Sequence, residues 1–181
     1  MNLIHMVNNP FIESSIFNQS IFHDRNLEIL EEMVVISCTF KKLVVEKDPT
    51  EKGERAILNF GHTIGHAIEK AMHFELLHGE CVALGSVAAA YISWKKNLLS
   101  MDEYYEIRDM FVPFNLPISI DNINPEEILA LTASDKKMEG NQIKFILLKK
   151  VGKAIIDSTV TQEEILEGIK EIYYSEEDEH E

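Results

Sequence analysis

The chain has 181 residues, 45% of them hydrophobic, and a formal net charge of -14. That is enough apolar material for one core and short for two, so a single domain is expected. A surface this acidic repels nucleic-acid phosphates and anionic lipid, so neither is expected as a partner, and an anionic ligand needs a local basic pocket.

The N-terminus "MNLIHMVNNPF" has no basic region ahead of an apolar stretch, so no signal peptide is expected. Asn9-Pro10 marks a helix start, with a capping side chain before a proline. A longer helix is predicted from about Leu27 to Lys47, with Leu27, Leu30, Val34, Cys38 and Lys41 on its core-facing stripe, ended through Pro49 and Gly53. On that stripe Lys41 is a snorkelling side chain whose stem covers the core. Cys38 and Cys81 lie inside apolar helical patterns without CxxC spacing, which indicates unreactive thiols in a reduced, cytoplasmic protein. The run "CVALGSVAAAYISW", residues 81–94, is too short to span a bilayer and suits a buried helix packed closely on others.

Ser100 to Glu103, Asn124 to Glu127 and Thr161 to Glu164 each place a capping side chain three residues before a glutamate, predicting three further helices. Between the last two, "GNQIKFILLKKVGKAIID" alternates and turns at Val151-Gly152, which predicts one β-hairpin resting on helices. The expected architecture is therefore mainly α with one small hairpin. Residues 1–174 form the domain, and residues 175–181, "SEEDEHE", form an acidic solvated tail. Neither GxGxxG nor GxxxxGK[ST] occurs.

The segment "GERAILNFGHTIGHAIEKAMHFELLHGE", residues 53–80, is where chemistry concentrates. If residues 62–73 are helical, His62 and His66 stack one turn apart, roughly 5–6 Å between Cβ atoms, with Glu69 and His73 on the same stripe. A helical hairpin then brings His78 back toward His62, with Gly85 permitting close helix contact, and two imidazoles on rigid elements begin a divalent-metal site. A zincin-type protease is disfavoured, because Thr63 stands where HExxH has its glutamate. A general metal hydrolase would have only Glu80 as a nearby carboxylate. Taken singly, each histidine is an ordinary helix residue; the functional expectation rests on Arg55 and Asn59 lying beside His62 and His66, with Lys41 and Glu51 upstream. Arginine, lysine and an amide next to a metal suit a phosphorylated or carboxylated substrate.

"RAILNFGHTIGHAIE" followed by "HGECVALG" closely resembles the signature of the 3-dehydroquinate synthase family, and "KLVVEKDPTEKGER" and "DKKMEGNQIKFILLKKVGKA" resemble its flanking blocks in the same order. The resemblance implies the helical C-terminal domain of a metal- and NAD-dependent lyase that cyclises a seven-carbon keto sugar-acid phosphate in the shikimate pathway, with loss of phosphate. It implies that His62 and His78 ligate zinc, and that Arg55 and Lys41 hold the substrate carboxylate and hydroxyls. Asn59, His66 and Lys136 or Lys137 would surround the departing phosphate, and Glu51 would orient His66. The family's third zinc ligand, a glutamate, and its N-terminal NAD-binding domain are expected to be absent, leaving weakened zinc binding, no appreciable NAD binding and an inactive isolated chain. A separate N-terminal half as partner and a homodimer are further implications. Two alternatives stand beside this family: a related sugar-phosphate cyclase, and a non-catalytic helical remnant or partner module.

Overall fold

The computed structural model describes residues 27–50, 53–133, 138–139 and 142–174. The expected helix start at Asn9-Pro10, Glu51, the Asp135-Lys136-Lys137 run and the tail lie outside them. The chain runs through α1 (Leu27–Lys47), a 3-10 helix (Glu54–Asn59), α2 (His62–Ala71), α3 (His78–Lys95), α4 (Met101–Asp109) and a short 3-10 turn (Val112–Phe114). It continues through α5 (Pro125–Ala133), β1 (Met138–Glu139), β2 (Gln142–Ile143), β3 (Phe145–Lys150), β4 (Lys153–Asp157) and α6 (Gln162–Ile172).

Helix α3 is the axle of the domain. Cys81, Leu84, Val87, Ala88, Ala89, Ala90 and Ile92 are all buried, because α2, α4, α6 and β3 pack around it. Its small residues let neighbours approach closely. A Cβ on Gly85 would lie 2.0 Å from the Gly61 carbonyl oxygen and 2.6 Å from the Gly65 nitrogen. Gly61, at φ +78°, begins α2 in a left-handed conformation that a side chain rarely adopts. The α2–α3 pair is therefore a tight antiparallel hairpin whose closest approach is backbone on backbone.

The helix caps follow the sequence. Ser100 Oγ accepts the Glu103 N–H at 3.2 Å while the Glu103 carboxylate accepts the Ser100 N–H at 2.8 Å, and Thr161 and Glu164 repeat the arrangement at the same two distances. Asn124 Oδ1 accepts from the Glu126 and Glu127 amides at the start of α5.

Helix α1 has the expected bounds but a different buried face. Leu27, Val34, Cys38 and Lys41 are exposed, with Val34 at 52%, whereas Met33 is buried and Leu30, Ser37, Phe40 and Val44 are half-buried. The helix is apolar nearly all round its middle, so the 30-33-37-40-44 stripe competes with the expected one, and tertiary contact selects it. Lys41 is thus a solvent-facing lysine rather than a snorkelling one, and Cys38 is not a buried thiol.

The hairpin turns at Val151-Gly152 with Gly152 at φ +75°, pairing Ile146 with Ile156 and Leu148 with Ala154. Strand β3 does not alternate: Phe145, Ile146, Leu147 and Leu148 are all buried. It has α3 on one side and the 3-10 helix Glu54–Asn59 in contact as well, so neither face is left to water. Ser93 Oγ, inside α3, accepts the Leu148 N–H at 3.0 Å and donates to the Ala89 carbonyl at 2.7 Å, tying strand to axle. A minimal β1–β2 pair precedes this hairpin. Among the described residues no helix is long and apolar enough to cross a membrane.

Candidate metal centre

Helix α2 opens with His62, and one turn later carries His66; α3 opens with His78. The reversal between them is sharp. After Ala71 the chain leaves the helix through His73 and Phe74, both at positive φ, and the Phe74 N–H reaches back to the Glu69 carbonyl at 3.0 Å. His73 therefore leaves the helical stripe expected to run through residue 73 and is exposed.

The close α2–α3 contact brings the three imidazoles together, His62 edge-on to both of the others. Ring centroids are 5.3 Å apart for His62 and His66, 5.6 Å for His62 and His78, and 5.6 Å for His66 and His78. One ring nitrogen from each lies within 4.8 Å of those of the other two. His62 and His66 are half-buried, and His78 is exposed at the mouth.

Two of the rings are held from behind. His62 Nδ1 stands 3.1 Å from the Phe60 carbonyl oxygen. His78 Nδ1 sits loosely between the two Glu69 carboxylate oxygens, at 3.3 and 3.5 Å. An acceptor behind Nδ1 keeps the proton there and makes Nε2 the lone-pair nitrogen, the arrangement that orients histidine ligands in metal sites. The donor set, three imidazole nitrogens with a carboxylate behind one of them, fits a borderline divalent ion such as Zn2+ or Co2+.

Glu80, the carboxylate a metal hydrolase would require, instead accepts the Leu77 N–H at 2.8 Å and caps α3. Buried Cys81, one turn into α3, has its thiol pushed up to about 11 by burial, then by the negative charges of Glu69 and Glu80.

The anion-binding candidates lie along the approach to α2. Arg55 and Asn59 fall on the 3-10 helix Glu54–Asn59, against which α1 packs. Asp48 Oδ2 accepts the Gly53 and Arg55 amides at 2.8 and 3.1 Å, fixing where that helix starts, and Arg55 Nη1 donates to the Pro49 carbonyl at 2.9 Å. Lys41 is on α1. Glu69, unassigned from sequence beyond its place on the histidine stripe, gains a role through its contact with His78; its spacing from His62 and His66 was the available signal.

A mainly helical domain whose central hairpin gathers three imidazoles offers the donor set of a divalent-metal site. A model of the "3-dehydroquinate synthase C-terminal" family matches residues 6–138, and the chain belongs to that family. It is 41% identical over 137 residues to the 3-dehydroquinate synthase of Nitrosospira multiformis, covering 75% of this chain and 37% of that one. It is 41% identical over 145 residues to that of Campylobacter concisus, covering 80% and 42%. The chain thus spans about two fifths of the length of these curated relatives.

Among solved structures, a 2-deoxy-scyllo-inosose synthase complexed with carbaglucose-6-phosphate, NAD+ and Co2+ matches at TM-score 0.66 and 30% identity, covering 75% of this chain and 40% of that one. The 2-epi-5-epi-valiolone synthase of Streptomyces hygroscopicus subsp. jinggangensis, with NAD+ and Zn2+ bound, shares the fold at TM-score 0.71 and 20% identity, covering 94% and 48%.

Proposed function

We propose that this chain is the metal- and substrate-binding portion of a carbon–oxygen lyase of the 3-dehydroquinate synthase kind, cyclising a seven-carbon keto sugar-acid phosphate with release of phosphate in the shikimate pathway. The observation that carries this is the convergence of His62, His66 and His78 inside the segment matched by the family model. The structural relatives crystallised with NAD+ and Zn2+ or Co2+ support the same cofactor class.

His62 and His78 hold the divalent metal, which supplies Lewis acidity toward a substrate hydroxyl and carbonyl. Arg55 offers a planar two-pronged donor set suited to the substrate carboxylate, and Lys41 a point charge on a flexible stem for the hydroxyls. Asn59, His66 and Lys136 attend the phosphate end, where donors stabilise the charge that develops as the leaving group departs, and Glu51 orients His66. Glu69, behind His78, positions that ring. No residue of this chain is assigned to NAD, because no glycine-rich phosphate loop occurs; that cofactor belongs with an N-terminal half. Residues 1–174 are the domain and 175–181 the tail. The working enzyme is a cytoplasmic homodimer, and this chain alone does not turn over.

The test joins the preceding half of the Nitrosospira multiformis enzyme to this chain and follows phosphate and ring product from the seven-carbon substrate with NAD+ and Zn2+. Dehydroquinate with stoichiometric phosphate is expected. A different carbocycle from a sugar phosphate would favour the cyclase alternative, and a folded, metal-loaded but inert hybrid would favour the non-catalytic module.

A further inference from the structure

We propose that the exposed face of α1 is a self-recognition surface, on which a second copy of this chain lies antiparallel about a two-fold axis near Val35 and Ile36. The surface is separate from the metal centre. Positions 27, 31, 34, 38, 41 and 45 alternate steps of four and three residues, the spacing of a coiled-coil seam, and span nearly the whole helix. They face outward. Leu27, Glu31, Val34, Cys38 and Lys41 are exposed, with Leu27 at 77%, and Val45 is half-buried. Glu28, Val35 and Lys42 flank the seam at seven-residue spacing and are exposed as well. The chain's own core takes the other side of α1 through Met33, so it does not use the seam.

The order of charges along the seam decides what fits it. The acidic side chains Glu28 and Glu31 stand in the first half of α1 and the basic Lys41 and Lys42 in the second, with Val34, Val35 and Cys38 between them. Two antiparallel copies therefore match at every level: Leu27 meets the partner's Val45, Glu31 the partner's Lys41, and Val34 the partner's Cys38. On the flank, Glu28 meets the partner's Lys42 and Val35 the partner's Val35. Parallel pairing would set glutamate on glutamate and lysine on lysine, so charge selects the antiparallel two-fold arrangement. Among the described residues Glu31 and Lys41 make no ion pair, and Lys42 reaches only Glu46, at 3.7 Å with both side chains largely exposed. At 1.5 Å per residue the 21-residue helix is about 32 Å long. One helix from each copy makes a small interface, so the pair forms and separates with concentration. Pairing occupies Lys41, so self-association and the substrate role given to Lys41 above exclude one another.

The experiment is sedimentation velocity of the 181-residue chain across the micromolar range, with circular dichroism to check folding. Wild type is expected to pass from monomer to dimer as concentration rises, and alkylation of Cys38 to slow as the dimer fills. Glu31→Lys and Lys41→Glu each set like charges against one another across the seam and should weaken dimerisation about 100-fold or more. The chain carrying both reversals should regain it. An equimolar mixture of the two single variants should form a mixed dimer, although neither variant pairs with itself, a result that a general effect on folding would not produce. A wild-type chain that stays monomeric throughout, or a dimer indifferent to both single reversals, would overturn the inference. So would a double reversal and a mixture that both fail to pair while remaining folded.

Discussion

Gly85 is the position at which the arrangement of the site is most exposed to a single methyl group. Replacing it by alanine puts a Cβ 2.0 Å from the Gly61 carbonyl oxygen, where ordinary contact begins at 3.4 Å, so the helices must part by about 1.4 Å. Both obstructing groups are backbone and have no rotamer to escape into. Overpacking of this kind costs about 3 kcal/mol, and the gain in helix propensity returns about 1 kcal/mol. The net loss of about 2 kcal/mol lowers Tm by roughly 4–8 °C in a domain of this size. Gly79, in the same helix, is the internal control: a Cβ there meets nothing within 4 Å. Gly79→Ala should be neutral or stabilising by up to about 1 kcal/mol. Urea unfolding of the two variants reports the difference, in which helix propensity largely cancels. Coincident midpoints for Gly85→Ala and Gly79→Ala would refute the backbone-on-backbone approach that sets His78 against His62.

Four other outcomes are expected. A thiol-alkylating reagent at pH 8 should label Cys38, which is exposed, and leave Cys81, buried with its thiol raised to about 11, until the protein is unfolded; mass spectrometry locates the adduct. Ser93→Ala should destabilise by about 1–3 kcal/mol, because the buried Leu148 amide loses its acceptor, and hydrogen exchange at Leu148 should accelerate. Glu103 is held below its ordinary 4.5 by the Ser100 amide, and Asp157 below 3.8 by Thr159 and Lys96, which outweigh burial. Their contribution is full above those values and is lost as pH falls through the lower folded-state ones, so Asp157→Asn should flatten the acid limb of stability against pH. Zn2+ at 100 times its Kd should raise wild-type unfolding free energy by about 2.7 kcal/mol. Chelation should reverse that gain, and Glu69→Gln should weaken zinc binding about 10–100-fold.

The helix starts were legible because their determinants are local: Ser100, Asn124 and Thr161 sit a fixed distance from the amides they cap. The hairpin turn was legible for the same reason, through Gly152. Burial was less so. In α1 the middle of the helix is apolar on several faces, and tertiary packing, that of the 3-10 helix included, leaves Met33 buried and Phe40 half-buried while Val34 and Cys38 are exposed. In β3, contacts with both α3 and that 3-10 helix erase the alternation expected of a half-buried strand. The end of α2 carried no glycine or proline signal, since His73 and Phe74 adopt the left-handed turn instead. His62 and His66 were visible as a helical pair, but the placement of His78 between them and Glu69 depends on the tertiary hairpin, beyond what spacing alone conveys.

Anomalous diffraction at the zinc edge from crystals of the chain grown with Zn2+ tests the convergence of the imidazoles most directly. A single strong peak within about 2.0–2.1 Å of nitrogens from His62 and His78 is the predicted result. An absence of density there, or rings splayed to separate sides of the α2–α3 hairpin, would contradict it.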